Sequence, residues 1–304
     1  MIIALCTERT DSWQNPPIWG DERLARDLQQ VLVHLHDIER VDLLNKTMPC
    51  APDVDVCLRF QSYLPQTAPV TLLWYQNDHD YDLVSLADQY DGLLLASTSH
   101  GAEAERTLGG YPWTHEPVVC ANPDRFPVCS PTDHYPVVYL GNNIKGPERT
   151  GRFLAPAIPY GLALFGSYWS DPPYAACNRG AVKGLASNNQ VYRNADVVLS
   201  FHLQKHADWS MPVCRITEAL LCERIVISDK VGCDLFTRHV VWTEGGADLS
   251  GQLGYWLNEA TPEARVGMTA GARGYAVERF HVKDQAVRVA AFCRWAMREK
   301  TVHA

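Results

Sequence analysis

Short apolar runs alternate with stretches of helical periodicity along most of this chain, and that alternation restricts the folds open to it. Residues 1–6 have the apolar, β-branched character of a buried strand. Residues 21–35 follow, with Leu24, Leu28 and Leu32 spaced so that they share one helical face. Strands that alternate with helices pair in parallel, because the crossover helix returns the chain to the same end of the sheet. The pattern therefore predicts an α/β fold with open, doubly wound parallel sheets.

The same pattern predicts the individual elements. Strands are expected at residues 1–6, 53–60, 70–75, 92–96, 137–140, 163–166, 197–201 and 224–228. Helices are expected at residues 21–35, 83–89, 101–108, 151–160, 213–221, 248–259, 263–279 and 282–299.

The length of 304 residues exceeds the size at which a single hydrophobic core usually stops growing. Residues 126–136 contain three prolines and little periodicity, and the alternation restarts after them. We therefore predict an N-terminal domain at residues 1–130, a C-terminal domain at 131–280 and a closing helix at 281–304. A ligand is expected between the two α/β halves, at the carboxyl ends of the strands.

Composition excludes several classes of protein. A formal charge of −8, from 27 basic and 35 acidic residues, argues against general nucleic-acid binding. The longest apolar runs are too short to cross a bilayer, and the first residues carry no basic segment or cleavage signature, so we expect a cytoplasmic protein. Ten cysteines without a Cys-x-x-Cys pair are expected to be free thiols.

The turn after the predicted strand at 137–140 has the residues of a phosphate site. Gly141, Asn142 and Asn143 lead into a predicted helix. A glycine lets the backbone approach a ligand closely, and the amides at a helix N-terminus suit an anion, so this turn can bind a phosphate. The nearby cations are Lys145, Arg149 and Arg152. The alternative is an ordinary surface turn flanked by solvated basic residues.

A second candidate lies in the helix predicted at 213–221. Glu218 stands in its first turn, where a carboxylate can accept hydrogen bonds from two hydroxyls of a ribose. The alternative is a glutamate that only complements the helix dipole.

These segments resemble the nucleotide-binding domain of GT-B glycosyltransferases, in particular the bacterial spore-maturation-protein-like branch. Four motifs occur in order: a Gly-Asn turn with a following Arg, Leu-Phe-Gly-x-x-Trp at 164–169, Val-Tyr-x-x-Ala-Asp at 191–196, and Arg-x-x-Glu-Ala-x-x-Cys at 215–222. More loosely, residues 20–25 resemble the first helix of such enzymes, and 122–126 resemble the segment that closes their acceptor domain. An ordered set of motifs is more specific than any one of them alone.

The resemblance implies two Rossmann-like domains that face each other across a cleft, with the last helix crossing back onto the first domain. It implies a nucleotide-diphosphate sugar, such as a UDP- or GDP-sugar, as co-substrate in that cleft, with no other cofactor and no required metal. Glu218 would bind the ribose, and Lys145 with Arg149 or Arg152 would neutralise the diphosphate. Arg215 is assigned to the phosphates as well. Glu223 stands where the family has glycine, which puts the packing of that helix end in doubt.

The catalytic base is expected in the first half. Asp78, His79 and Asp80 follow the predicted strand at 70–75, and a carboxylate or imidazole there can take the acceptor's proton. The alternative is an acidic N-cap for the helix at 83–89. Residues 80–82 and 53–55 also spell Asp-x-Asp, a metal–diphosphate motif of the other main glycosyltransferase fold, and a local turn or cap is the alternative reading.

Three further residues are candidates for ligand contact. His202 ends the strand at 197–201 and is predicted to touch the donor. Trp13 and Trp19 flank an unusual loop after the first strand, where an acceptor can stack on their rings.

The sequence therefore predicts a glycosyltransferase that moves a sugar from a nucleotide-diphosphate donor to an acceptor nucleophile. The acceptor class stays open among a small molecule, a glycan, a protein side chain and a nucleobase. The alternatives are a non-catalytic nucleotide-sugar-binding protein and a two-domain small-ligand-binding protein.

Overall fold

The computed structural model describes residues 1–7, 20–45, 52–57, 68–75, 82–117, 119–182, 185–231, 234–236 and 238–303. They form two compact units. The first comprises Met1–Cys120, Trp209–Met211 and His281–Ala304, and the second comprises Ala121–Asp208 and Pro212–Phe280. None of the described helices has an apolar stretch long enough to cross a membrane.

The elements follow in the alternation that the sequence predicts. The strands are β1 (Ile2–Thr7), β2 (Arg40–Asn45), β3 (Val54–Cys57), β4 (Val70–Tyr75), β5 (Gly92–Leu95), β6 (Trp113–His115), β7 (Tyr135–Leu140), β8 (Leu162–Phe165), β9 (Ala195–Ser200), β10 (Ile225–Asp229) and β11 (Val240–Thr243). The helices are α1 (Gly20–Leu32), α2 (Leu83–Ala87), α3 (Thr98–Thr107), α4 (Pro147–Phe153), α5 (Leu185–Arg193), α6 (Gln204–Asp208), α7 (Arg215–Leu221), α8 (Gly246–Gly254), α9 (Pro262–Thr269), α10 (Ala272–Phe280) and α11 (Val282–His303). A 3₁₀ helix, Ala155–Tyr160, follows α4, a second, Tyr174–Cys177, follows β8, and a π-helical turn, Tyr255–Glu259, follows α8.

The first unit is a three-layer α/β sandwich. Its six-stranded sheet has the order β2-β1-β3-β4-β5-β6, and every pairing is parallel. Helices α1 and α11 cover one face, where Leu28 and Val289 join a single apolar cluster. Helices α2 and α3 cover the other face through Leu86 and Ala104. Both faces of the sheet are therefore buried, as a parallel sheet requires.

Charged pairs hold the last helix within the first unit. Arg294 donates from Nε and Nη2 to the Asp37 carboxylate at 2.5 and 2.6 Å. Arg288 makes a similar two-bond pair with Glu116, whose side chain is buried. Bidentate arginine–carboxylate pairs fix orientation as well as contact, so α11 is an integral layer of this unit.

The second unit repeats the arrangement. Its five-stranded parallel sheet has the order β11-β10-β9-β7-β8. The chain moves from β7 outward to β8, then crosses back to place β9 on the other side of β7. The direction of winding reverses between β7 and β9, and α/β proteins bind ligands at such a point, at the carboxyl ends of the strands. The predicted α/β class with doubly wound parallel sheets is confirmed.

Several elements differ from the predictions. Strands β2, β6 and β11 and helices α5 and α6 were missed, and the helix predicted at 263–279 is split into α9 and α10. Gly271, at φ +79°, separates these two helices in a left-handed conformation that glycine adopts easily. Two prolines convert the end of the helix predicted at 151–160 into the 3₁₀ segment.

The proline-rich segment at 126–136 lies within the second unit, whose boundary falls between Cys120 and Ala121. Arg273 of α10 donates to the carbonyl oxygens of Phe126 and Pro123, at 2.6 and 3.1 Å. Hydrogen bonds from a side chain of the second unit thus attach the start of this segment to that unit. The composition of the segment does not indicate this attachment.

Candidate functional site

The loop after β7 is fastened to the loop after β8 by a set of hydrogen bonds. The amide of Gly141 donates to the Phe165 carbonyl at 2.8 Å, and that of Asn143 donates to Ser167 at 3.1 Å. The Asn142 side chain accepts from the Ser167 amide at 2.8 Å. The predicted Gly-Asn turn is therefore a fixed structure at the carboxyl edge of the sheet.

Two glycines allow these loops to pack so closely. A Cβ on Gly141 would lie 2.9 Å from both Arg215 Nη2 and the Tyr139 hydroxyl. Gly166 has φ +146°, and a Cβ there would lie 2.2 Å from the Gly141 carbonyl oxygen. Neither position has space for a side chain, so the backbone itself lines the site.

Arg215 brings its guanidinium to this edge from the first turn of α7. Its Nε donates to the Leu140 carbonyl at 2.7 Å, and its Nη1 donates to the Phe201 carbonyl at 3.4 Å. These carbonyls lie at the carboxyl ends of β7 and β9. The guanidinium also lies over the Tyr139 ring, 4.9 Å from its centroid. A cation is therefore fixed where the winding of the sheet reverses.

The Tyr139 hydroxyl is a buried polar atom that has no hydrogen-bond partner among the residues the structure describes. Burial raises the pKa of Tyr139, so the hydroxyl stays protonated at neutral pH. Buried hydroxyls are nearly always paired, and one left unpaired beside a cation and a glycine turn is a point where a ligand can bind.

Lys145 adds a second cation on the same loop. Its Nζ lies 5.7 Å from the centroid of the Phe201 ring, and its side chain is half-buried. The pKa of Lys145 is lowered to about 7, mainly by burial and also by the charges of Arg215 and Arg149, which outweigh the opposing charge of Asp229. The ammonium therefore titrates near neutrality and gains from any anion that approaches.

Asp229, at the end of β10, holds Arg149 and His202 in place near these cations through hydrogen bonds. Its carboxylate accepts from Arg149 Nη2, from the His202 amide at 3.1 Å and from His202 Nδ1 at 2.6 Å. Burial alone would raise the pKa of Asp229, but the His202 hydrogen bonds and the Arg149 charge lower it. The residue is thus an ionised anchor, and sequence analysis did not identify it. The available signal was an acidic residue directly after a buried apolar run.

The imidazole of His202 has a defined tautomer. The Val213 amide donates to its Nε2 at 3.2 Å, so the proton resides on Nδ1 and is donated to Asp229. Burial lowers the pKa of His202, which keeps this ring neutral. Both ring nitrogens are used within the protein, so His202 positions the loop between β9 and α6.

The two candidate arginines of α4 have different surroundings. Arg149 is buried, and besides Asp229 it donates to the His202 carbonyl at 2.7 Å and to Gln204 Oε1 at 2.9 Å. Arg152 is exposed and donates to the Glu244 carbonyl at 2.6 Å. Arg149 therefore joins the cluster of Lys145, Arg215 and His202, whereas Arg152 contacts a neighbouring loop.

Glu218 lies one helical turn after Arg215 and is buried. Its Oε2 accepts from the Tyr192 hydroxyl at 3.0 Å. Tyr192 belongs to the Val-Tyr-x-x-Ala-Asp motif, so two of the four sequence motifs meet at this carboxylate.

The candidates of the first unit fall largely outside the described residues. Asp78, His79 and Asp80 lie there, as do Trp13 and Trp19. The neighbouring Asp82 caps α2, and its side chain accepts from the Ser85 amide at 2.9 Å. Asp53 accepts from the Ile2 amide at 2.7 Å. Within the part of the chain that the structure describes, no cluster of three His, Cys, Asp or Glu residues is arranged to hold a metal ion.

Residues 149–291 match the family model described as glycosyl transferase-like. No curated protein sequence matches the chain. Among solved structures, AviGT4, a glycosyltransferase of avilamycin A biosynthesis, is 17% identical, with a TM-score of 0.65 over 98% of both chains. Sucrose-phosphate synthase from Thermosynechococcus elongatus is 14% identical, with a TM-score of 0.65 over 98% of this chain and 99% of that one. HepE from Anabaena, solved with UDP and glucose, is 12% identical, with a TM-score of 0.59 over 95% of this chain and 98% of that one.

The family match begins within α4 and ends within α11, and it includes Arg149, Arg215 and Glu218. At these identities the solved structures establish the fold, and they do so over nearly the whole chain. Residues 149–291 thus match the glycosyl transferase-like family, and nearly the whole chain has the GT-B fold of glycosyltransferases.

Proposed function

We propose that this enzyme transfers a sugar from a nucleotide-diphosphate donor and that its second unit binds the donor. The observation that carries the proposal is the juxtaposition of Arg215, Lys145 and the Gly141 turn where the winding of the sheet reverses. Two basic side chains, a Tyr139 hydroxyl unpaired among the described residues and a glycine backbone suit a diphosphate. HepE, whose fold this chain shares, was solved with UDP and glucose, which supports the same ligand class.

The proposed roles follow from the chemistry of the step. The bond between the sugar's anomeric carbon and the diphosphate oxygen breaks, and its electron pair remains on the diphosphate. Arg215 and Lys145 stabilise that negative charge, because cations held in place before the reaction need no reorganisation. Arg149 is a positioning residue, since its three hydrogen bonds hold Asp229, His202 and Gln204 behind the site.

Glu218 is proposed to accept hydrogen bonds from the donor's ribose hydroxyls. It lies one helical turn from Arg215 on α7, which matches the short separation between a ribose and its diphosphate. Tyr192 fixes the carboxylate through Oε2. A charged acceptor held by a neighbouring hydroxyl binds a second hydroxyl strongly.

The donor site is also proposed to work without a required metal ion. Stabilising a departing diphosphate requires positive charge, which Lys145 and Arg215 can supply. The general base for the acceptor stays a prediction at Asp78, His79 or Asp80, and acceptor stacking stays one at Trp13 and Trp19.

Substitution of Arg215 tests the assignment. Arg215→Ala is expected to raise the Kd for the nucleoside diphosphate by about 10- to 100-fold, because a charge-assisted contact contributes roughly 1.5–3 kcal/mol. Arg279→Ala is the matched control, since Arg279 also donates from Nε to a backbone carbonyl, at Leu235, in the same unit. Turnover of a nucleotide sugar should persist in EDTA.

Calorimetric titration of both variants separates the outcomes. Equal Kd values for Arg215→Ala and the unsubstituted protein would remove Arg215 from the donor site. Donor binding without release of nucleoside diphosphate, with every acceptor class offered, would favour a non-catalytic nucleotide-sugar-binding protein.

A further inference from the structure

Tyr168 is a bulky residue in an unusual backbone conformation beside the proposed donor site. Its φ is +68°, in the left-handed region that glycine favours, and 70% of its surface is exposed. A left-handed conformation is a genuine outlier for an aromatic residue and costs free energy. Among the described residues, no side-chain hydrogen bond or ring contact of Tyr168 offsets that cost, so a role in binding is the physical explanation to test.

The position of Tyr168 is fixed from both sides. On one side, Ser167 bonds to Asn142 and Asn143 through its amide and carbonyl. On the other, the Trp169 indole donates to the Gly141 carbonyl at 2.8 Å, and the Trp169 ring is buried in the core. The backbone of Tyr168 is therefore held beside the Gly141 turn by the bonds of both neighbours.

A second exposed apolar side chain belongs to the same pair of loops. Ile144 is 59% exposed, and it directly follows Asn143, whose amide bonds to the Ser167 carbonyl. The two loops thus present an apolar rim, Tyr168 and Ile144, beside the cations that are proposed to bind the diphosphate. Aromatic bases stack on such rings whatever their sequence, because each base has a π face.

We infer that Tyr168 is the stacking surface for the nucleobase of the donor, so that its ring helps to select nucleotide sugars over other phosphorylated sugars. The inference rests on the proposed function, since the cation site must hold the diphosphate for the base to reach this rim. The loop supplies an aromatic ring to the base, and Lys145 and Arg215 supply charge to the phosphates.

Three variants at this position separate the contribution of the Tyr168 ring to binding from the effect of its backbone conformation. Tyr168→Phe keeps the ring, Tyr168→Ala removes it and leaves a side chain at positive φ, and Tyr168→Gly removes it and relieves the strain. Their affinities are measured by calorimetry against UDP, GDP and ADP, and against inorganic pyrophosphate, which has no base. Their melting temperatures are measured without ligand.

The expected result is a loss of about 5- to 100-fold in affinity for the preferred nucleoside diphosphate in the Ala and Gly variants, the range of one base–aromatic stack. Pyrophosphate affinity should stay unchanged in all three, and Tyr168→Phe should bind as the unsubstituted protein does. Tyr168→Gly should also melt a few degrees higher, because glycine adopts this φ without strain. A variant that gains stability while it loses nucleotide affinity is not explained by a structural role.

Full nucleotide affinity in Tyr168→Ala would overturn the inference and leave the proposed function intact. Loss of pyrophosphate affinity together with nucleotide affinity would also overturn it, because the ring would then be supporting the cation site. Failure of the unsubstituted protein to bind either pyrophosphate or any of the three nucleotides would instead refute the proposed function.

Discussion

At the scale of single residues, the cationic cluster arises from contacts between segments distant in the sequence. Lys145 precedes α4, Arg215 begins α7 and Asp229 ends β10, yet all three lie around the carboxyl ends of neighbouring strands. Lys145 was visible in the sequence because it follows a Gly-Asn turn, and Arg215 because residues 215–222 resemble a family motif. Their partners were not, because the pairing of Arg149 with Asp229 depends on the order of the strands.

Lys145 gives the site a pH dependence with a definite sign. Its pKa is about 7 without ligand. A bound diphosphate favours the charged ammonium and raises that pKa. Below pH 7 the lysine is already charged, so the Kd for a nucleoside diphosphate should be lowest there. Above pH 7 binding takes up a proton, and the Kd should rise by up to about tenfold per pH unit.

The measurement is calorimetry between pH 6 and pH 9 in two buffers of different ionisation enthalpy, which counts the protons taken up. Lys145→Arg is the matched control, because arginine stays charged across this range and should show little pH dependence above pH 7. A wild-type slope equal to that of Lys145→Arg would contradict the assignment of Lys145.

At the scale of elements, the C-terminus of α7 shows how the helix ends at Glu223, where the family has glycine. The Arg224 amide donates to the Ala219 carbonyl at 3.2 Å, and the Glu223 amide donates to Leu220 at 3.0 Å. This is a Schellman ending, in which the residue after the cap is left-handed. Glu223 has φ +55°, so a glutamate occupies the conformation that glycine adopts most easily. The helix therefore ends normally without the glycine, and the doubt raised by the sequence is resolved.

Replacement of Glu223 should measure the free-energy cost of its left-handed backbone conformation. Glu223→Gly is expected to be about 1 kcal/mol more stable than Glu223→Ala, because only alanine keeps a Cβ in the left-handed region. Both variants lose the contact of 3.8 Å between Glu223 and Arg193, so the comparison isolates the backbone. Urea unfolding followed by circular dichroism gives the difference; equal midpoints for the two variants would show that this position carries no strain.

The elements themselves were predictable in proportion to their periodicity. Strand β4 has the extent predicted for it, since Thr71 is the one polar residue in 70–75, and α11 was recognised from its apolar face. The short edge strands β6 and β11 were missed because neither has a long apolar run. The prediction merged helices α9 and α10, because the helical period continues through both. The structure separates them at Gly271, whose left-handed conformation interrupts the helix.

At the scale of the whole molecule, the two units share one winding pattern. In each, the second strand lies on one side of the first and the third lies on the other. The donor candidates of the second unit gather at that position, after β7 and β9. In the first unit, α11 and α1 together form the layer that covers one face of the sheet, although α11 comes from the other end of the chain. The division of labour, with an acceptor half and a donor half, stays a prediction.

Binding of a nucleotide-sugar donor by the second unit is tested by calorimetric titration of the 304-residue chain with UDP, GDP and ADP. We predict that one of the three binds with a stoichiometry of one. Its monophosphate should bind more weakly, because Lys145 and Arg215 recognise the diphosphate, and Glu218→Gln should bind it more weakly through the ribose. If none of the three nucleotides binds at millimolar concentration, or if monophosphate and diphosphate bind equally, the account is contradicted.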